Sequence, residues 1–132
     1  RDGHWNGFIR TKDYKKGVNE RNSGDLILDI DLKGKSHSGI GIHALESLGS
    51  YIMFPKSVEL YDISRNQNEL IYSKNYTSSS LGTPDLVKFF KIPITKKSEK
   101  LRLVIKSNKK LPKGHPAQGE YAWLFVDEIL FL

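Results

Sequence analysis

Large aromatic and polar side chains gather between the apolar runs of this chain. Trp5 lies in His4-Trp5-Asn6-Gly7-Phe8, Tyr51 in Gly49-Ser50-Tyr51-Ile52-Met53-Phe54-Pro55, and His115 in Pro112-Lys113-Gly114-His115-Pro116, shortly before Trp123. Sugar recognition uses this mixture: an aromatic face covers the C–H face of a pyranose, and nearby polar groups orient on its hydroxyls. Trp5 and Tyr51 are the candidates for stacking. His4, Arg10, Lys113 and His115 are the candidates for contacting hydroxyls or an acidic group. The competing reading makes Trp5, Tyr51 and Trp123 core or loop-anchoring residues, and Trp123, flanked by Leu124 and Phe125, suits it best.

Bond-breaking chemistry has little local support. A glycosidase needs two carboxyls facing each other across its substrate. Here Asp29 and Asp31 alternate onto one outward strand face, and Asp127 and Glu128 are adjacent. No nucleophile elbow, phosphate loop or His-Glu-x-x-His pattern occurs. The four histidines, His4, His37, His43 and His115, are dispersed, which argues against zinc. Calcium suits oxygen ligands supplied by loops, and Asp127, Glu128 and Asp2-Gly3 are the places to look for it.

The elements that would position these residues are strands. Leu26, Leu28, Ile30 and Leu32 alternate with Asp29 and Asp31, the pattern of a half-buried strand that stops at Gly34. Ile40 and Ile42 share a face between small residues. Ser57–Ile63 and Glu69–Tyr72 alternate on either side of the polar run Ser64–Asn68, which predicts a hairpin. Asn75–Asp85 is loop material. Val87–Ile94 is a strand whose Pro93 favours an edge or a bulge. Leu101–Lys106 is the next strand, Lys109–Glu120 a long loop, and Tyr121–Leu132 a final strand buried in part on both faces. The one hint of helix is a turn near Ala44-Leu45-Glu46-Ser47. Short strands separated by Gly/Pro turns predict an all-β fold, an antiparallel β-sandwich or jelly roll, with residues 1–132 forming one domain.

Composition sets the outer limits. At 132 residues, with 38% hydrophobic and 27% charged residues, the chain can build a core of its own. It has no cysteine, which excludes disulfides and thiolate chemistry. No apolar run approaches a membrane span. The net charge of +6 reads either as attraction to an anionic partner or as a well-solvated surface. The lysine pairs are scattered beside turn residues and lack interleaved aromatics, which favours the second and gives no nucleic-acid signature. The opening Arg1-Asp2-Gly3, without Met, leads us to expect a piece of a longer protein.

Three blocks together resemble coagulation-factor-5/8-type C (discoidin-like, galactose-binding-like) domains. They are Trp5-Asn6-Gly7-Phe8 ahead of Leu28–Leu32, the run Ser50–Leu60, and His115–Ile129 with its core Ala122-Trp123-Leu124-Phe125-Val126-Asp127-Glu128-Ile129. More narrowly, they look like the C-terminal modules of chitobiase-like family 20 β-N-acetylhexosaminidases of Bacteroides-type bacteria. The resemblance implies a jelly roll with its ligand site in loops at one end. It also implies a structural calcium ion, with Glu128 and Asp2 as its acidic ligands. The run Lys12–Ser23 is longer and more basic than such modules lead one to expect. The expected function is a non-catalytic module that targets a secreted hexosaminidase to glycans containing N-acetylhexosamine or galactose, some of them acidic. The alternative is an accessory domain that only packs on the catalytic domain of the same polypeptide. The implied location is periplasmic, outer-membrane-attached or extracellular.

Overall fold

The computed structural model describes residues 5–10, 24–77 and 80–132. Asp2, His4 and the run Lys12–Ser23 lie outside the described residues. Alternation builds eight strands: β1 (Asn6–Ile9), β2 (Leu26–Asp31), β3 (Gly39–Glu46), β4 (Ser57–Asp62), β5 (Glu69–Asn75), β6 (Leu86–Pro93), β7 (Lys100–Lys106) and β8 (Trp123–Phe131). They form two four-stranded antiparallel sheets, ordered β1-β8-β3-β6 and β2-β7-β4-β5. Apart from the β4–β5 hairpin, every step along the chain crosses from one sheet to the other. That order is a jelly roll, a form in which two packed antiparallel sheets share one core.

The core follows from the period of two. Ile40, Ile42 and Ala44 point inward from β3, Leu124 and Val126 from β8, Leu101, Leu103 and Ile105 from β7, and Val58 and Leu60 from β4. Most are fully buried, and each buried Ile, Leu or Val side chain contributes about 1.5–3 kcal/mol. A smaller cluster of Leu48, Met53, Leu111 and Ala122 lies under the long loops.

The two outer faces differ. On the β2-β7-β4-β5 sheet the face is charged, and Arg102 forks onto the Asp29 carboxylate directly opposite it, at 2.7 and 3.0 Å. That bond, helped by the Arg102 charge, holds the Asp29 carboxyl below its ordinary range against the opposing effect of burial. Asp29 is thereby a surface ion-pair partner. The outer face of the other sheet carries an apolar patch. Leu45, Val87, Phe89, Trp123 and Phe125 alternate outward there, with the Phe89 ring over Gly41 and the Phe125 ring over Gly7.

The predicted hairpin is the β4–β5 pair, with one irregularity between Leu60 and Tyr61. Pro93 ends β6, an edge strand of its sheet, where its missing N–H costs least. The expected turn at Ala44–Ser47 is instead the end of β3. Ala44 and Glu46 are buried while His43 and Leu45 are half-buried, an alternation that only extended chain produces. The turn comes later, as a 3-10 turn at Leu48–Ser50. Among the described residues, no helix is long and apolar enough to cross a membrane.

Candidate functional site: a loop-end cleft

The connections β3–β4, β5–β6 and β7–β8 emerge at one end of the sandwich. Together they wall a cleft of about 520 Å³, lined by Leu48, Gly49, Tyr51, Leu81, Gly82, Thr83, Gly114, His115, Pro116 and Ala117. Small-ligand sites commonly occupy about 300–1,000 Å³.

Tyr51 is held at the cleft by its own backbone. Ser47 and Ile52 exchange both main-chain hydrogen bonds at 2.9 Å and close the loop between them. Tyr51 caps the 3-10 turn in the left-handed region, with φ 64° and ψ 25°. Its N–H donates to the Leu48 carbonyl at 3.2 Å, and its carbonyl accepts from the Trp123 N–H at 2.7 Å. A left-handed conformation costs an ordinary residue about 1–2 kcal/mol, so strained residues are concentrated where geometry serves a ligand. The side chain remains 39% exposed. Its ring meets His115 edge-on, with centroids 5.7 Å apart and planes at 83°.

His115 has a different role from the one its surroundings suggest. The imidazole Nε2 donates to the Leu48 carbonyl at 2.7 Å, and Nδ1 accepts the Ala117 N–H at 2.9 Å. Both nitrogens are thus committed within the protein, in the Nε2–H tautomer. At 9% exposure His115 staples the β7–β8 loop onto the β3–β4 loop and has no donor left for a sugar hydroxyl. That removes it from the hydroxyl-contacting set and makes it the wall that fixes the Tyr51 ring. Lys113 is exposed in the same loop, one residue from the cleft lining. An added Cβ at Gly49 or Gly82 would meet nothing within 4 Å, so the cleft opens between bare stretches of main chain.

The remaining predicted residues lie elsewhere. Arg10 is half-buried at the end of β1, where an added Cβ on Gly24 would come within 2.9 Å of its main-chain nitrogen. Trp5 stacks on His43, with centroids 5.5 Å apart and planes at 26°, on the sheet face that carries the apolar patch. Along β8 this is about four residues, or roughly 13 Å, from Trp123, which carries the Tyr51 loop. The two expected stacking residues therefore belong to separate places. Trp123 alternates outward and packs perpendicular to Phe125, as a sheet residue and not a loop one.

A scan against protein-family models finds no match, and a search of the curated proteins finds none either. The likeness to discoidin-like modules rests on the sequence blocks, and the jelly roll rests on the strand order.

The calcium ion implied by that likeness can be tested against the donors at Glu128. Calcium takes about six to eight oxygen ligands. Among the described residues, His43, Asp127 and Glu128 bring their ligand atoms within 4.8 Å of one another. One of those atoms is an imidazole nitrogen, a donor that does not suit calcium, so this set does not fit that ion. His43 was hidden in the sequence among four scattered histidines; its partner Asp127 is 84 residues away and meets it only through the β3–β8 pairing.

Proposed function

We propose that this chain is a non-catalytic carbohydrate-binding module, and that it serves a secreted β-N-acetylhexosaminidase by holding the enzyme on its glycan. The observation that carries this reading is Tyr51. It is a large aromatic residue kept in a strained left-handed conformation, clamped on both sides by main-chain bonds, with its exposed ring forming one wall of the loop-end cleft. The ring would stack on one sugar face. Lys113 would reach a hydroxyl or an acidic substituent, and the open main chain at Gly49 and Gly82 would leave room for a pyranose. The sequence blocks supply the hexosaminidase context. Retention on glycan then raises the effective concentration of a linked catalytic domain, with no bond made or broken by this chain.

The test is a glycan array followed by calorimetric titration of the whole chain, repeated with Tyr51→Ala and Gly49→Tyr. Gly49 borders the cleft with open space where a side chain would grow, so the second variant fills the site without touching the core. Loss of binding in both variants supports the cleft. Unchanged binding in both rejects it.

A second reading, an accessory domain that packs on its catalytic partner, is favoured by the apolar outer patch, where Val87 and Phe89 are 44% and 42% exposed. On that reading the array is silent, and Phe89→Lys weakens attachment to the catalytic domain while Tyr51→Ala does not.

A further inference from the structure

The β3–β8 ladder runs regularly from Ile40–Phe131 to His43–Glu128, and then Ala44 faces Val126. Asp127 is therefore an additional residue in β8. Such a bulge re-aims the side chains beside it. Regular alternation would send one of two adjacent residues toward the core. Here Asp127 and Glu128 both meet His43, which stands on the outer face opposite the inward Ile42 and Ala44. His43 Nδ1 lies 2.5 Å from Asp127 Oδ1, with side-chain exposures of 30% and 9%. The Trp5 ring stacks on the imidazole.

We propose that His43, Asp127 and Glu128 bind one divalent transition-metal ion of the zinc type. Ligands about 2.0–2.2 Å from a tetrahedral zinc ion stand roughly 3.4 Å apart. Three donor atoms already within 4.8 Å need only small side-chain rotations to reach that arrangement. The imidazole sets the choice of ion: nitrogen suits zinc, cobalt and nickel, whereas calcium and magnesium take oxygen. The ion takes the place of the direct contact between His43 and Asp127. All three ligands sit on two paired strands rather than on loops, so the ladder fixes their main chains before any ion arrives. Trp5 covers the ring from one side, which holds its plane and provides an optical reporter. This site is separate from the loop-end cleft and does not depend on what the cleft binds.

The experiment uses the whole chain stripped with a chelator and titrated with Zn2+, Ca2+ and Co2+. One Zn2+ per chain is expected, with Ca2+ unable to displace it. Co2+ should give a visible ligand-field band and quench tryptophan emission, and the quenching should be largely lost in Trp5→Phe, which retains Trp123. His43→Gln and Glu128→Gln, compared by their melting curves in chelator to confirm folding, should each weaken Zn2+ at least about tenfold. Absence of Zn2+ binding by the native chain overturns the proposal. So does Zn2+ affinity that neither substitution changes, or displacement of Zn2+ by equimolar Ca2+.

Discussion

The left-handed Tyr51 permits a test that separates the cost of the conformation from the use of the ring. Tyr51→Ala and Tyr51→Gly remove the same phenol and the same edge contact with His115. They differ in what remains at φ 64°. Alanine keeps a Cβ and with it the left-handed penalty of about 1–2 kcal/mol. Glycine escapes that penalty but loses about 0.5–1 kcal/mol to the larger freedom of its unfolded chain. The glycine variant should therefore be the more stable of the two by about 0.5–1 kcal/mol. For a domain of this size that is roughly 2–5 °C in melting temperature. Calorimetric or circular-dichroism melts of the two variants side by side measure the difference directly. Both should lose sugar affinity equally, by about tenfold or more if the ring supplies 1.4 kcal/mol of stacking. An alanine variant as stable as the glycine variant would refute the claim of stored strain. Sugar affinity unchanged in both would refute the role given to the ring.

Three further outcomes are expected. Ile42→Ala, at a fully buried position of β3, should cost about 2–5 kcal/mol in urea unfolding. Gly39→Ala should cost about 1–3 kcal/mol by the same assay, because the new Cβ would lie 2.8 Å from the Ile92 carbonyl oxygen, a main-chain atom that cannot swing aside. Burial pushes the Asp62 carboxyl up, but hydrogen bonds from Ser64, Ser98 and Lys96 outweigh it and hold it below its ordinary range. Its folded pKa being the lower one, the stability it supplies is full above the unfolded value and is lost as pH falls through the folded one. Asp62→Asn should flatten that acid limb in a pH series of unfolding curves.

Much of this architecture was legible because it depends on a period of two. Leu26, Leu28 and Ile30 against Asp29 and Asp31 gave β2 and its outward charges, and the polar run after Ile63 gave the β4–β5 hairpin. Alternation also explains what could not be read. It assigns Asp127 and Glu128 to opposite faces, and only the pairing with β3 reveals the extra residue that brings both to His43. Tyr51 was visible as an aromatic in a loop, but its left-handed backbone was not, since tyrosine has no preference for that region. His115 stood among Pro, Gly and Lys like a group facing a ligand, while its two bonds to Leu48 and Ala117 depend on loops folded against each other. Trp5 and Tyr51 were grouped by chemistry. The ladder between them, running along β8, sets them apart.

The bulge in β8 also bears on how such a cluster can be acquired or lost. Point changes on a regular strand can swap one side chain for another but cannot turn two neighbours to the same side. Deleting the single codon for Asp127 would leave Val126 opposite Ala44 and Glu128 opposite His43 in unbroken alternation, and would remove only the second carboxylate that the bulge sets beside His43. Relatives of this chain should therefore differ at this spot by a gain or loss of length, and the histidine opposite should come and go with it.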